Sequence, residues 1–233
     1  EAAYIAAISR NPAYAKAHND LGTILMNINR QRTALVHFKK AAALAPENVL
    51  YLMNAGNSLM ALGQWKEAQS YFQLILDRAP DNIDAVKNLG GSLMQLGKID
   101  EAEKIYQQSI VRHPDNSSLR YNLGRILAQK GNLNAAVEAY QAALRIDPRY
   151  PEALYNIGNI RLEQQRYSEA VNAYYSAIAI KPDYIAAINN LGGAYKRMGE
   201  INKAKAQYEK VLRLKKDHER ARRSLDELLL YQD

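Results

Sequence analysis

The sequence predicts an all-α chain folded as a right-handed superhelix of stacked helix–turn–helix repeats, an α-solenoid. Three observations point there. Pro12, Pro46, Pro80, Pro114, Pro148 and Pro182 recur every 34 residues, and only Pro151 lies off that comb. Ala34, Ala68, Ala102, Ala136, Ala170 and Ala204 keep the same period, and four residues after each comes an aromatic: Phe38, Phe72, Tyr106, Tyr140, Tyr174 and Tyr208. A glycine stands 12 residues before each alanine: Gly22, Gly56, Gly90, Gly124, Gly158 and Gly192. Self-similarity at this period marks a repeat array, in which each unit buries its apolar face against its neighbours.

In chain order, residues 1–14 read as the second half of a truncated repeat, with Tyr4 in the aromatic slot and Pro12 closing it. The chain is therefore expected to begin inside a longer array. Six full repeats follow at 15–48, 49–82, 83–116, 117–150, 151–184 and 185–218. The first helix of each carries the glycine, the second the alanine and the aromatic. Small residues let helices approach, and the large ring fills the space beside them. Gly63, Gly97, Gly131 and Gly199 lie in the turns, where a left-handed residue ends a helix. Asn29 and Gln165 take that place in the first and fifth repeats, and the glutamine predicts a looser fifth turn. The periodic proline stops the second helix; Lys216 replaces it in the sixth repeat. Residues 219–233 are expected to form a last capping helix with a charged outer face.

This frame resembles the tetratricopeptide repeat (TPR) family over essentially the whole chain. The tryptophan usual in the family's first helix is absent; His18, Leu52, Val86, Arg120, Leu154 and Ile188 occupy its slot. Arg120 and Arg161 place charge where packing is expected, although an arginine stem can still cover apolar surface.

Composition bounds the chemistry. The 233 residues carry a net charge of +7 and no cysteine, so disulfides, thiol catalysis and cysteine-bound zinc are excluded. The positive balance favours acidic partners. No apolar run approaches the roughly 20 residues of a membrane span, and no signal peptide opens the chain. The expectation is a soluble protein, cytoplasmic in preference to periplasmic.

No catalytic motif stands out, no cofactor is expected, and the chain is read as not an enzyme. His18, His37, His113 and His218 are scattered, with no two at ligand spacing along a helix. Gly91–Lys98 imitates a phosphate loop but has five residues between its glycines, ends in Ile99 where Ser or Thr is needed, and follows no strand. Asp100, Glu101 and Glu103 fall in the first turn of a second helix, where acids complement the dipole. Asn116-Ser117-Ser118 fits a glycosylation sequon.

The informative feature lies on the first helices. Counting each repeat from its first residue, positions 4, 7, 8 and 11 are packed, and positions 2, 6, 9 and 13 form a stripe on the other face. Position 6 reads Asp20, Asn54, Asn88, Asn122, Asn156 and Asn190; position 9 reads Thr23, Asn57, Gly91, Arg125, Asn159 and Gly193. Asparagine is a mediocre helix former, and a face kept only for solubility would favour Lys or Glu. Three readings stand: a solvated face, a ladder that binds neighbouring backbone to hold the array together, and a row of amides that pairs with an extended peptide backbone.

In the TPR family first helices line the concave groove, so the resemblance implies that this stripe meets a ligand. The candidate peptide-binding residues are Asn54, Asn57, Asn88, Asn122, Arg125, Asn156, Asn159 and Asn190, with Lys87, Tyr121 and Tyr155 at position 5. The asparagine row is also similar to that of O-linked N-acetylglucosamine transferases, which implies a recognition region of a larger enzyme as the alternative function. Met26, Met60 and Met94 at position 12 either fill gaps between first helices or offer an adaptable surface. The sixth repeat is basic, with Lys196, Arg197, Lys203, Lys205, Lys210, Arg213, Lys215 and Lys216, and Arg220, Arg222 and Arg223 continue the run. That end reads as a solvated cap or as an anion- or RNA-binding patch. The partner expected overall is a protein or peptide in extended form, captured by a scaffold.

Overall fold

The computed structural model describes residues 1–230, and their secondary structure is α-helical throughout. They divide into two compact units, Glu1–Pro114 and a second that begins at Asp115. The first holds α1 (Ala2–Arg10), α2 (Ala15–Asn27), α3 (Gln31–Leu44), α4 (Val49–Ala61), α5 (Trp65–Arg78), α6 (Ile83–Gln95) and α7 (Ile99–Arg112). The second holds α8 (Ser117–Gln129), α9 (Leu133–Ile146), α10 (Pro151–Glu163), α11 (Tyr167–Ile180), α12 (Ile185–Arg197), α13 (Ile201–Leu214) and α14 (Glu219–Leu230). In each, a helix packs against the next in sequence, the order of an all-α solenoid. The last three residues of the expected capping helix lie outside the described residues.

The turns explain how 34 residues close into a hairpin. Gly63, Gly97, Gly131 and Gly199 take φ values of 71°, 73°, 79° and 77°. In the turn at Gly63 the Gln64 N–H donates to the Leu59 carbonyl at 2.9 Å, and the Gly63 N–H to that of Met60 at 3.0 Å. This is the left-handed cap that satisfies a helix's last carbonyls. Gln165 adopts φ 59° and closes its turn with the same pair of bonds, Arg166 N–H to Arg161 O at 2.8 Å and Gln165 N–H to Leu162 O at 3.0 Å. The fifth turn is therefore not looser. The two bonds hold the glutamine in a conformation that costs a non-glycine residue roughly 1–2 kcal/mol.

Second helices stop two residues before each periodic proline. The residue between is extended, as a following proline ring demands: Ala45, Ala79, His113, Asp147 and Lys181 have ψ between 67° and 95°. Lys215 shows ψ 95° although Lys216 is not proline. There the Lys215 N–H still donates to Val211 O at 2.8 Å, so the same helix end forms without the ring.

The core runs along the helix hairpins. Phe72 and Tyr174 are fully buried and Tyr140 nearly so. Each ring lies over the glycine 16 residues earlier, where a β-carbon would meet ring carbons at 2.6 Å. Arg161 is tolerated at its packing slot because its guanidinium meets Glu169 at 3.2 Å and donates to Gln164 Oε1 at 2.8 Å. Met60 Cε comes within 3.9 Å of a β-carbon built on Gly91, so that methionine fills space between successive first helices.

Candidate functional site

The position-6 side chains are half-buried in both units and bond along the row of first helices. In the first unit Asn54 Nδ2 donates to Asn19 Oδ1 at 2.7 Å. Asn88 Nδ2 donates to Asn57 Oδ1 at 2.8 Å, with Met53 Sδ at 3.5 Å. Lys87 turns to Asp84 on its own helix at 2.7 Å, an i,i+3 pair.

In the second unit Asn156 Nδ2 donates to the Tyr121 hydroxyl at 3.3 Å, which ties α10 to α8. Asn190 Nδ2 donates to the Tyr155 hydroxyl at 3.2 Å and to Asn159 Oδ1 at 2.9 Å, which ties α12 to α10. Tyr174 donates its hydroxyl proton to the same Asn159 Oδ1 at 2.8 Å. Asn122 differs: its amide donates to Ser118 O of its own helix at 2.9 Å, and its Oδ1 receives Arg125 NH1 at 3.1 Å.

Within each unit the structure thus brings candidate residues of successive first helices together. The ladder bonds pass to neighbouring side chains, and only Asn122 bonds backbone. Amide N–H groups are turned inward to the preceding first helix. The Oδ1 atoms of Asn54, Asn88 and Asn156 have no partner in the described chain. What the row offers outward is therefore a set of hydrogen-bond acceptors.

Tyr150 and Tyr184 escaped the sequence reading and complete the second unit's face. Each precedes a first helix, where Asn48, Asn82 and Asn116 supply capping Oδ1 atoms in other repeats. The Tyr150 ring lies 4.7 Å from that of Tyr121, and the Tyr184 ring 5.2 Å from that of Tyr155. Comparing the last column of the 34-residue frame would have exposed the exchange. Asn116 of the sequon is itself the cap of α8, accepting from Leu119 N–H at 3.0 Å.

The histidines are not all scattered. His18 and His37 face each other, Nδ1 to Nδ1 at 3.0 Å, and the His18 Nε2–H donates to Pro12 O at 3.1 Å. Nineteen residues of separation and two helices hid the pair. Among the described residues no three His, Asp or Glu side chains gather as a metal-binding set, and no helix is long and apolar enough to cross a membrane. At the basic end, Lys196 Nζ pairs with Glu227 of α14 at 2.6 Å.

Tetratricopeptide repeat models match residues 25–83, 53–117, 87–151 and 121–185, and a second such model matches 161–228. The chain belongs to the tetratricopeptide repeat family. No curated protein matches it. Among solved structures it is similar to YrrB, a TPR protein with an unusual peptide-binding site, at 26% identity and a TM-score of 0.58 over 80% of this chain and 96% of that one. It is similar in fold to MamA from Desulfovibrio magneticus RS-1, at 19% identity and a TM-score of 0.63 over 73% of this chain and 96% of that one. The Cut9–Hcn1 hetero-tetramer of the APC/C gives 18% identity and a TM-score of 0.74 over 97% of this chain and 45% of that one. None of these three is a glycosyltransferase.

Proposed function

We propose that the chain is a non-catalytic scaffold that takes an extended peptide against the face of its first helices. In the second unit that face comprises Asn122, Arg125, Asn156, Asn159, Asn190, Tyr121 and Tyr155; in the first, Asn54, Asn57, Asn88 and Lys87. The observation that carries this reading is the set of half-buried amides at Asn54, Asn88 and Asn156, whose oxygens have no partner in the described chain, beside the half-buried rings of Tyr121 and Tyr155. A carbonyl oxygen accepts from the N–H of any extended strand, whatever its side chains. Tyrosine adds large, stiff contact area at little entropic cost. The peptide-binding site of YrrB supports the same use of the fold.

The test selects nonapeptides from a random library on the intact chain and measures their affinity for Asn156→Ala and Tyr155→Ala. About one hydrogen bond or one ring is lost in each, so affinity should fall roughly three- to tenfold. Unchanged affinity in both variants, or contacts mapped by cross-saturation to the second helices, would overturn the proposal.

A further inference from the structure

A cavity of about 520 Å³ in the second unit is walled by α10, the turn into α11, and α12. Asn159, Leu162, Glu163, Gln165, Tyr167 and Arg197 line it. Glu163 and Arg197 hold position 13 of successive repeats, and they are the charged members of that column; the others are Asn27, Ala61, Gln95 and Gln129. The two opposite charges line one cavity without meeting, and neither makes a hydrogen bond or ion pair in the described chain. The two arginines of repeat 151–184 are already spent, since Arg161 and Arg166 both pair with Glu169, at 3.2 and 2.6 Å. Arg197 is the cation left to the cavity.

The amides beside them are free to serve a ligand. Asn159 spends its Oδ1 on the Tyr174 hydroxyl at 2.8 Å and on Asn190 Nδ2 at 2.9 Å, which leaves its own Nδ2 as a donor. Gln165 holds φ 59° where four other turns place glycine and one asparagine. Glycine closes such a turn without strain, so a glutamine kept in that conformation points to a use for its side chain. Here the side chain lines the cavity, and neither it nor the Tyr167 hydroxyl has a partner in the described chain.

A lone anion entering this cavity is repelled by Glu163, and a lone cation by Arg197. A ligand that carries both signs on neighbouring atoms satisfies each. We propose that the cavity binds the α-ammonium and the adjoining carboxylate or carbonyl of an amino acid, either free or as the first residue of a peptide. Glu163 accepts from the ammonium, while Arg197 and the Asn159 amide donate to the oxygens. Leu162 and the Tyr167 ring give the ligand's side chain apolar surface. Asn159 belongs both to this cavity and to the amide row, so the two sites adjoin. The inference stands without peptide binding along that row.

The experiment follows backbone amide shifts of the whole chain by NMR. The ligands are L-leucine, leucinamide, N-acetylleucine, and a Leu-Ala-Ala amide with its N-terminus free or acetylated. Shifts in α10 and α12 should saturate with L-leucine at a dissociation constant on the order of 1 mM. Leucinamide keeps the ammonium and should bind within about threefold of leucine; N-acetylleucine lacks it and should bind about tenfold more weakly. Glu163→Gln should weaken L-leucine and leucinamide alike by about three- to tenfold. Arg197→Gln should weaken L-leucine more than leucinamide, because only leucine carries the carboxylate. Gln165→Gly should weaken L-leucine without lowering the melting temperature. Binding of the free tripeptide but not its acetylated form supports a chain's first residue as ligand, and binding of L-leucine without the tripeptide supports the free amino acid. Absence of a saturable shift up to the solubility limit of L-leucine, N-acetylleucine binding as tightly as L-leucine, or unchanged affinities in Glu163→Gln overturns the proposal. These ligands are too short to span the amide row, so either result leaves the nonapeptide test of the peptide-binding face to stand or fall by itself.

Discussion

A β-carbon built on Gly124 would stand 2.6 Å from Cε1 of Tyr140. No real pair of carbons packs so closely, and Tyr140 is buried with no room to retreat. The glycine exists to admit the ring. Gly124→Ala should therefore lower stability by about 1–3 kcal/mol, although alanine is the better helix former. Gly91 provides the contrast, since its nearest neighbour would be Met60 Cε at 3.9 Å. Gly91→Ala should raise stability by up to about 1 kcal/mol. Urea denaturation of both variants checks the pair, and equal signs would refute the argument.

The asparagine ladder should carry stability as well as ligand. Asn190→Ala removes two bonds between α12 and α10, and should cost about 1–2 kcal/mol. Asn122→Ala removes only bonds within α8, and should cost under about 0.5 kcal/mol because helix propensity improves. Hydrogen exchange should show the Asn190 loss concentrated in α10 and α12.

Arg161 tests how a charge survives in a packing slot. Its side chain is 13% exposed and depends on Glu169. Glu169→Ala should destabilise by about 0.5–1 kcal/mol, tempered by the exposure of the glutamate. Arg161→Leu, which restores the residue found at this slot in four other repeats, should be neutral or stabilising, because a well-packed apolar side chain replaces a half-buried ion pair at little cost. Melting curves of the two variants decide it.

The His18–His37 pair makes the first unit sensitive to acid. Burial, and next the neighbouring His18, lowers the His37 pKa from its ordinary 6.5. The folded chain thus binds fewer protons than the unfolded one near that pH. The stabilisation is present above pH 6.5 and is lost as pH falls through 6.5 toward the lowered value. A proton on either ring also places charge beside the apolar surface of Ile8, Pro12, Val36 and Ala43. Between pH 7.5 and 5.5, α2 and α3 should lose exchange protection before α4 and α5. His37→Leu should abolish that difference, and histidine ring shifts read by NMR give the pKa directly.

The sequence alone determined the repeat frame, the helical class, the turn glycines and the pairing of each glycine with its aromatic. Those follow from backbone register, which a 34-residue period repeats for every residue in the column. It also located the position-6 amides on one face, because helical spacing assigns faces without knowledge of neighbours. Tertiary structure alone decided what those side chains do. The direction in which Asn88 or Asn190 donates depends on a rotamer and on the residue 31 or 35 positions earlier. The meeting of His18 with His37, of Arg161 with Glu169, and of Tyr150 with Tyr121 depends on helices crossing at particular heights. Periodicity predicts which surface is exposed. Which donors that surface has already spent, and which acceptors and ring faces remain for a partner, is settled only when packed helices bring side chains within three to five ångströms of one another.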